Sequence, residues 1–106
     1  MTQTILLIED DPLSARLADL VLRSEGYEVI NARNGLEALK IAQSTPPDLI
    51  LLDLMLPGLD GFEVLNRLRA DPKTADTPVV IVSSKSQPAD KQMAAKVGAN
   101  DYLTKP

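Results

Sequence analysis

Short runs rich in apolar residues, separated by segments long enough for a helix, constrain the fold of this chain more than any other feature. The runs are ILLI (5–8), YEVINA (27–32), LILL (49–52) and VVIV (79–82), and DYLT (101–104) follows them. Between the runs, apolar positions recur every three or four residues, as on one face of a helix. Continuous aliphatic runs indicate strands that are buried on both faces. The order therefore predicts a doubly wound α/β domain with a five-stranded parallel sheet.

Signals for helix ends lie between these runs. Asp11 is placed to cap the first helix, Pro12 occupies its first position and Gly26 follows its last turn. Three further helices are predicted at about 34–44, 60–70 and 88–97, and Asn34 and Asp60 each stand at capping-box distance from a glutamate. One face of the first helix carries four large apolar residues: Leu13, Leu17, Leu20 and Val21. No linker or repeat interrupts this alternation, so residues 1–106 are predicted to form one domain.

The composition excludes several classes of function. The chain has 11 Lys and Arg against 15 Asp and Glu, and its net charge of -4 disfavours direct binding to a nucleic-acid backbone. It has no Cys and no His, which excludes disulfides, thiolate chemistry, a Ser-His-Asp triad and His-bound zinc. The first residues, MTQTILLIEDD, lack the basic flank and the apolar length of a secretory signal or a membrane span. We therefore expect a cytoplasmic protein with no membrane partner.

Polar side chains follow several of the predicted strands. Glu9 and Asp10 come after the first strand, Asp53 after the third, Ser83 after the fourth and Lys105 after the fifth. The carboxyl ends of parallel strands meet at one edge of the sheet, so these side chains should converge there. Carboxylates at close range repel one another unless a cation lies between them, and Lys105 supplies one positive charge. Hard oxygen ligands at an open edge suit Mg²⁺, which predicts a magnesium site.

Four separated motifs resemble the receiver (CheY-like) domain of two-component response regulators: LLIEDDP, LILLDLMLPGLDGFEVL, PVVIVSS and GANDYLTKP. The resemblance covers almost the whole chain and implies a flavodoxin-like sheet of order 2-1-3-4-5. It also implies that Asp53 is the phosphoacceptor. Mg²⁺ would be held by Glu9, Asp10, Asp53 and the main-chain carbonyl of Met55. Lys105 and Ser83 would act as catalytic side chains, and Ser83 and Tyr102 as the switch residues.

The function that the resemblance implies is a phosphorylation switch in a phosphorelay. Such a domain catalyses only its own phosphorylation and dephosphorylation, and is not otherwise an enzyme. Because the chain has no His, the phosphohistidine donor must be another molecule, a sensor histidine kinase. The other expected partner is a downstream effector domain or protein. A homodimer through the fourth helix and fifth strand is also consistent with the resemblance.

Two alternatives and one departure accompany this interpretation. A haloacid-dehalogenase-like phosphatase also uses a strand-end aspartate with Mg²⁺, but it needs a second aspartate two residues later, where this chain has Met55. A pseudo-receiver would keep the fold as an interaction module without the chemistry. Receivers continue past the Lys-Pro pair into a fifth helix, whereas this chain stops at Pro106, so we expect a domain truncated before that helix. The bond between Lys105 and Pro106 is expected to be cis.

Overall fold

Strands and helices alternate along residues 2–105, the part of the chain that the computed structural model describes. The strands are β1 (Thr4–Ile8), β2 (Glu28–Ala32), β3 (Leu49–Leu52), β4 (Val79–Ser83) and β5 (Asp101–Thr104). The helices are α1 (Pro12–Ser24), α2 (Gly35–Ser44), α3 (Gly61–Ala70) and α4 (Pro88–Val97). The sequence placed these elements to within about a residue, and the α/β alternation is confirmed.

All strand pairs are parallel, and the sheet has the order β2-β1-β3-β4-β5. Ile8 at the end of β1 pairs with Leu52 at the end of β3. Ser83 at the end of β4 pairs with Thr104 at the end of β5. The order 2-1-3-4-5 of the flavodoxin-like fold is therefore confirmed. Because neighbouring strands end in register, the residues that follow them lie along one edge of the sheet.

Side-chain caps explain where three of the helices begin. Asp11 and Asn34 each accept a hydrogen bond at 2.9 Å from the N–H three residues later. Asp60 accepts from the N–H two residues later at 2.7 Å, while Glu63, at the capping-box position, pairs with Arg67 instead. Each cap satisfies a helix N–H that has no partner within the helix. The capping residues were predicted correctly, although Asn34 and Asp60 precede their helices by one position.

The two faces of the sheet are covered unequally. On one face, α2, α3 and α4 pack against the central strands and bury the larger cluster, which includes Leu6, Ile50, Leu52, Leu65 and Ile81. On the other face, α1 packs its Ala15, Ala18 and Leu22 against a smaller cluster of β-strand residues. The aliphatic runs of β1 and β3 thus have helix residues packed on both faces, whereas β4 packs against helices on one face.

The large apolar face of α1 does not pack on the sheet. Leu13, Leu17, Leu20 and Val21 share a face, as predicted, but each is more than half exposed. Helical geometry places this face roughly opposite Ala15, Ala18 and Leu22, the residues that contact the strands. In residues 2–105, α1 is the only helix on this side of the sheet.

No helix within residues 2–105 is both long and apolar enough to span a bilayer. The expectation of a cis bond between Lys105 and Pro106 lies outside the described residues, as do the ends of the predicted domain, Met1 and Pro106.

Candidate functional site

Three carboxylates meet where β1 and β3 end. Glu9 and Asp10 follow β1 directly, Asp53 follows β3 directly, and one oxygen of each carboxylate lies within 4.8 Å of the others. Two main-chain bonds hold this geometry, from Glu9 N–H to Ala32 O at 3.0 Å and from Asp53 N–H to Ile8 O at 3.1 Å. Glu9 and Asp53 are buried, whereas Asp10 is exposed. The predicted acidic cluster is therefore present and open to solvent on one side.

Lys105 reaches into the same cluster from the end of β5. Its Nζ donates to Oε1 of Glu9 and, at 2.9 Å, to Oδ2 of Asp53. Its own N–H donates to Ser83 O at 2.7 Å, which ties the residue to the end of β4. Lys105 thereby contacts residues that lie 52 and 96 positions before it in the sequence, as the convergence of strand ends predicted. One ammonium faces two buried carboxylates.

Both carboxylate oxygens of Asp53 have hydrogen-bond donors. Oδ1 accepts from the N–H of Met55 at 2.9 Å, and Oδ2 accepts from Lys105. Glu9 also uses both of its oxygens, because Oε2 accepts from Asp11 N–H at 3.3 Å. Asp11 thus caps α1 through its side chain, as predicted, and supports Glu9 through its main chain. The side chains of Glu9 and Asp53 are thus held in place by the protein itself.

The electrostatics of this cluster leave it short of positive charge. Burial raises the pKa of Glu9 above its ordinary value, and the neighbouring Asp53 charge adds to that rise, while the bonds from Lys105 and Asp11 oppose it. Burial alone would lower the pKa of Lys105, but its hydrogen bonds to Glu9 and Asp53 outweigh this effect and the pKa is raised. Lys105 therefore stays protonated, and a further cation would be stabilised beside it.

The donor set fits a hard divalent cation. Three carboxylates offer oxygen ligands, one of them on the exposed Asp10, so water could complete a coordination shell. A single ammonium cannot neutralise three carboxylates. The residues present are thus suited to Mg²⁺. The role of the Met55 main-chain carbonyl stays a prediction.

Ser83 and Tyr102 lie on the neighbouring strands β4 and β5. Ser83 is fully buried, and its Oγ accepts a hydrogen bond from Lys85 N–H at 3.2 Å. The hydroxyl of Tyr102 donates to the carbonyl of Lys85 at 2.7 Å, and burial raises the pKa of this phenol. Both predicted switch residues therefore contact the same residue of the β4–α4 loop.

Sequence reasoning missed two contacts at this edge. The Oγ of Ser84 lies 3.3 Å from the Sδ of Met55, so the loops after β3 and β4 touch through side chains. The main chain of Lys85 links Ser83 to Tyr102, although nothing in its side chain signals such a role. In the sequence, these two contacts were signalled only by the polar residues that follow the apolar run of β4.

The model of the response regulator receiver domain matches residues 5–106 of this chain. The chain belongs to the receiver domain family. The resemblance of the four motifs predicted this family, and the prediction is confirmed. The structure also has the acidic cluster, the lysine after β5 and the sheet order that the resemblance implied.

Individual relatives agree with this assignment. The receiver domain is 47% identical over 102 residues to the DNA-binding dual master transcriptional regulator RpaA of Synechocystis sp., matching 96% of this chain and 42% of RpaA. It is 38% identical over 102 residues to protein PilH of Pseudomonas aeruginosa, matching 96% of this chain and 84% of PilH. The chain thus spans less than half of some relatives and most of others.

Solved structures show the same architecture. Chemotaxis protein CheY4 of Vibrio cholerae matches with a TM-score of 0.95 at 31% identity, over 100% of this chain and 88% of that one. The receiver domain of sensor histidine kinase PA1611 from Pseudomonas aeruginosa, with a magnesium ion in its active-site cleft, matches with a TM-score of 0.92 at 34% identity, over 100% of this chain and 87% of that one.

Proposed function

We propose that this receiver domain is the phosphoacceptor switch of a two-component phosphorelay and that Asp53 accepts the phosphoryl group. One observation carries the proposal: the buried Asp53 carboxylate is held by Lys105 and Met55 N–H within an acidic cluster that favours a cation. Phosphoryl transfer needs an oriented nucleophile and neutralisation of charge, and these residues provide both.

The reaction exchanges one bond to phosphorus for another. An oxygen of Asp53 attacks the phosphorus of a phosphohistidine, the O–P bond forms, and the N–P bond to the imidazole breaks and leaves its electron pair on nitrogen. The Lys105 ammonium neutralises charge on the phosphoryl oxygens. Mg²⁺, held by Glu9, Asp10, Asp53 and the Met55 carbonyl, would screen the carboxylate from the incoming anion. The hydroxyl of Ser83 then donates to a phosphoryl oxygen.

The partners follow from the proposed chemistry and from the relatives. A phosphohistidine is the donor in this proposal, so the partner that phosphorylates Asp53 is a sensor histidine kinase. The match covers less than half of RpaA, a relative named as a DNA-binding regulator, but most of PilH. We therefore propose that the output is either an effector domain or a separate effector protein. We expect phosphorylation to act on that output through α4 and β5, which could also form a homodimer. We place these events in the cytoplasm.

The domain catalyses no reaction beyond its own phosphorylation and dephosphorylation under this proposal. The phosphatase alternative needs an acid at position 55, and the Met55 side chain there contacts Ser84 instead. The pseudo-receiver alternative needs a site that has lost its groups, whereas Glu9, Asp10, Asp53, Ser83 and Lys105 are all present. Neither alternative is favoured by a contact in the described residues.

Incubation with acetyl phosphate and Mg²⁺, followed by intact mass measurement, tests the proposal. We expect one phosphoryl adduct on the wild type, none on Asp53→Asn, and an unchanged adduct on the control Asp76→Asn, whose carboxylate is exposed beyond the opposite end of β4. Absence of an adduct on the wild type would favour the pseudo-receiver. Continuous release of inorganic phosphate from added phosphomonoesters would favour the phosphatase.

A further inference from the structure

The two ends of α4 are held very differently. Only Ala94 in this helix is fully buried, and its N-cap residue, Gln87, makes no side-chain capping bond. At the other end, Gly98 adopts a positive φ of 117°, and its N–H donates to Ala94 O and Ala95 O at 3.1 and 3.2 Å. This left-handed cap closes the last turn firmly. The helix is therefore secured at its C-terminal end and loosely held at its N-terminal end.

Arg69, near the end of α3, holds this C-terminal end of α4 from outside. Its Nε donates to the carbonyl of Gly98 at 3.0 Å, and its Nη2 donates to Oδ1 of Asn100 at 2.9 Å. The same oxygen of Asn100 accepts from Val79 N–H at 2.8 Å, which ties in the start of β4. The remaining acceptors of the guanidinium, all bonded to Nη1, are the carbonyls of Thr74, Ala75 and Thr77.

The geometry of this clamp makes it rigid. Guanidinium donors form a fixed planar fork, so contacts with five acceptors in three segments define one position for the group. The aliphatic part of Arg69 also lies against Gly98, where an added Cβ would stand only 3.1 Å from it. Hydrogen bonds with a charged donor are stronger than neutral ones. The clamp joins α3, the α3–β4 loop, the end of α4 and the residue before β5.

The loose end of α4 is connected to the functional site. The Oγ of Ser83 accepts from Lys85 N–H, and the carbonyl of Lys85 accepts from the hydroxyl of Tyr102. The helix begins at Pro88, three residues after Lys85. The ammonium of Lys91, in the first turn of α4, lies 5.9 Å from the centre of the Tyr102 ring. Movement of Ser83 would thus reach the N-terminal end of α4 first.

We propose that Arg69 makes the C-terminal end of α4 a fixed pivot, so that a displacement at Ser83 swings the N-terminal end of the helix while residues 97–100 stay in place. Arg69 is a positioning residue in this device and takes no part in phosphoryl transfer. The displacement rests on the proposed phosphorylation of Asp53, but the pivot is a property of the unmodified chain.

Amide hydrogen exchange of the unmodified protein tests the pivot directly. The Gly98 cap and the Arg69 clamp both act on the C-terminal end of α4, so we expect the amides of Lys96 and Val97 to exchange more slowly than those of Gln92 and Met93. In Arg69→Gln we expect exchange at residues 96–99 to rise about tenfold or more, which corresponds to losing one hydrogen bond to a charged group.

A control and a second condition sharpen the test. Arg67→Gln removes an exposed arginine of the same helix that pairs with Glu63, and it should leave exchange in α4 unchanged. In the wild type, acetyl phosphate with Mg²⁺ should alter exchange at residues 85–93 and leave residues 96–100 as they were. In Arg69→Gln the adduct should form at the same rate, but the change in exchange should extend through residue 100.

Specific outcomes would overturn the pivot. One is equal exchange at both ends of α4 in the unmodified wild type, and another is an unchanged gradient in Arg69→Gln. Should Arg69→Gln fail to fold, Arg69→Lys keeps the charge but not the fork and should lose part of the gradient; no loss there would also contradict the pivot. Failure of the wild type to form an adduct would contradict the proposed function alone, because the gradient is measured without phosphorylation.

Discussion

Removal of the Lys105 charge should destabilise the fold in a way that depends on pH. Lys105→Met keeps the length of the side chain but leaves the buried carboxylates of Glu9 and Asp53 without their ammonium partner. An unpaired buried charge costs more free energy than its original pair contributed. The loss should therefore exceed that expected for an ordinary surface lysine.

The exposure of the three side chains sets the size of this loss. Breaking a fully buried ion pair by removing one partner costs about 3–5 kcal/mol, and exposed pairs contribute below about 1 kcal/mol. The side chain of Lys105 is 23% exposed, against 6% for Glu9 and 9% for Asp53. Partial screening by water places the expected loss for Lys105→Met between these limits, at about 2 kcal/mol near pH 8.

The pH dependence follows from the sign of the pKa shift of Glu9. Burial already raises the pKa of this acid in the folded protein, and Lys105 opposes the rise. Without Lys105 the pKa should rise further, so folding at low pH buries a neutral carboxylic acid. When the pKa of an acid is higher in the folded protein than in the unfolded chain, the free energy of unfolding falls as the pH rises. The fall begins near the unfolded pKa and is complete above the folded pKa. The loss in Lys105→Met should thus be smaller at pH 5 than at pH 8.

Urea denaturation followed by far-ultraviolet circular dichroism measures these differences, since the chain has no Trp for fluorescence. Lys96→Met, which removes an exposed lysine of α4, serves as the control and should match the wild type at both pH values. Excess Mg²⁺ should restore part of the stability of Lys105→Met, because ligand binding to the folded state stabilises it. Equal unfolding free energies of Lys105→Met and the wild type at pH 8, or an equal loss at pH 5, would refute the reasoning.

Substitutions at four further positions probe the packing and the site. Gly61→Ala should cost about 2 kcal/mol in urea denaturation because its Cβ would stand 2.6 Å from the Cα of Leu54 and main chain cannot give way easily. Leu52→Ala, at a fully buried position, should cost about 3 kcal/mol, whereas Leu17→Ala on the exposed face of α1 should cost about 0.5 kcal/mol; similar losses would contradict the packing. Met55→Asn should shorten the phosphoryl half-life more than Met55→Ala, because an amide can hold water where a thioether excludes it; quantitative mass measurement over time follows the decay, and equal half-lives would count against that role.

Features encoded in neighbouring residues could be predicted from the sequence alone. The aliphatic runs placed the strands, and Asp11, Asn34 and Asp60 marked the helix starts. Such signals act within a few residues, through side-chain caps and continuous apolar runs. The residues that follow the strands were also identifiable, since parallel strands must end at one edge. The order of the strands came only from the resemblance of four motifs to a known family.

Features that depend on contacts across the fold were decided by the tertiary structure. No local pattern shows that Lys105 divides its bonds between Glu9 and Asp53, or that Arg69 collects acceptors from three segments. The spacing of the large apolar residues of α1 correctly predicted that they share one face of a helix. The helix nevertheless packs its other face, with Ala15, Ala18 and Leu22, against the sheet. Hydrophobic periodicity defines a face but not its partner, because the partner is chosen when distant elements pack together.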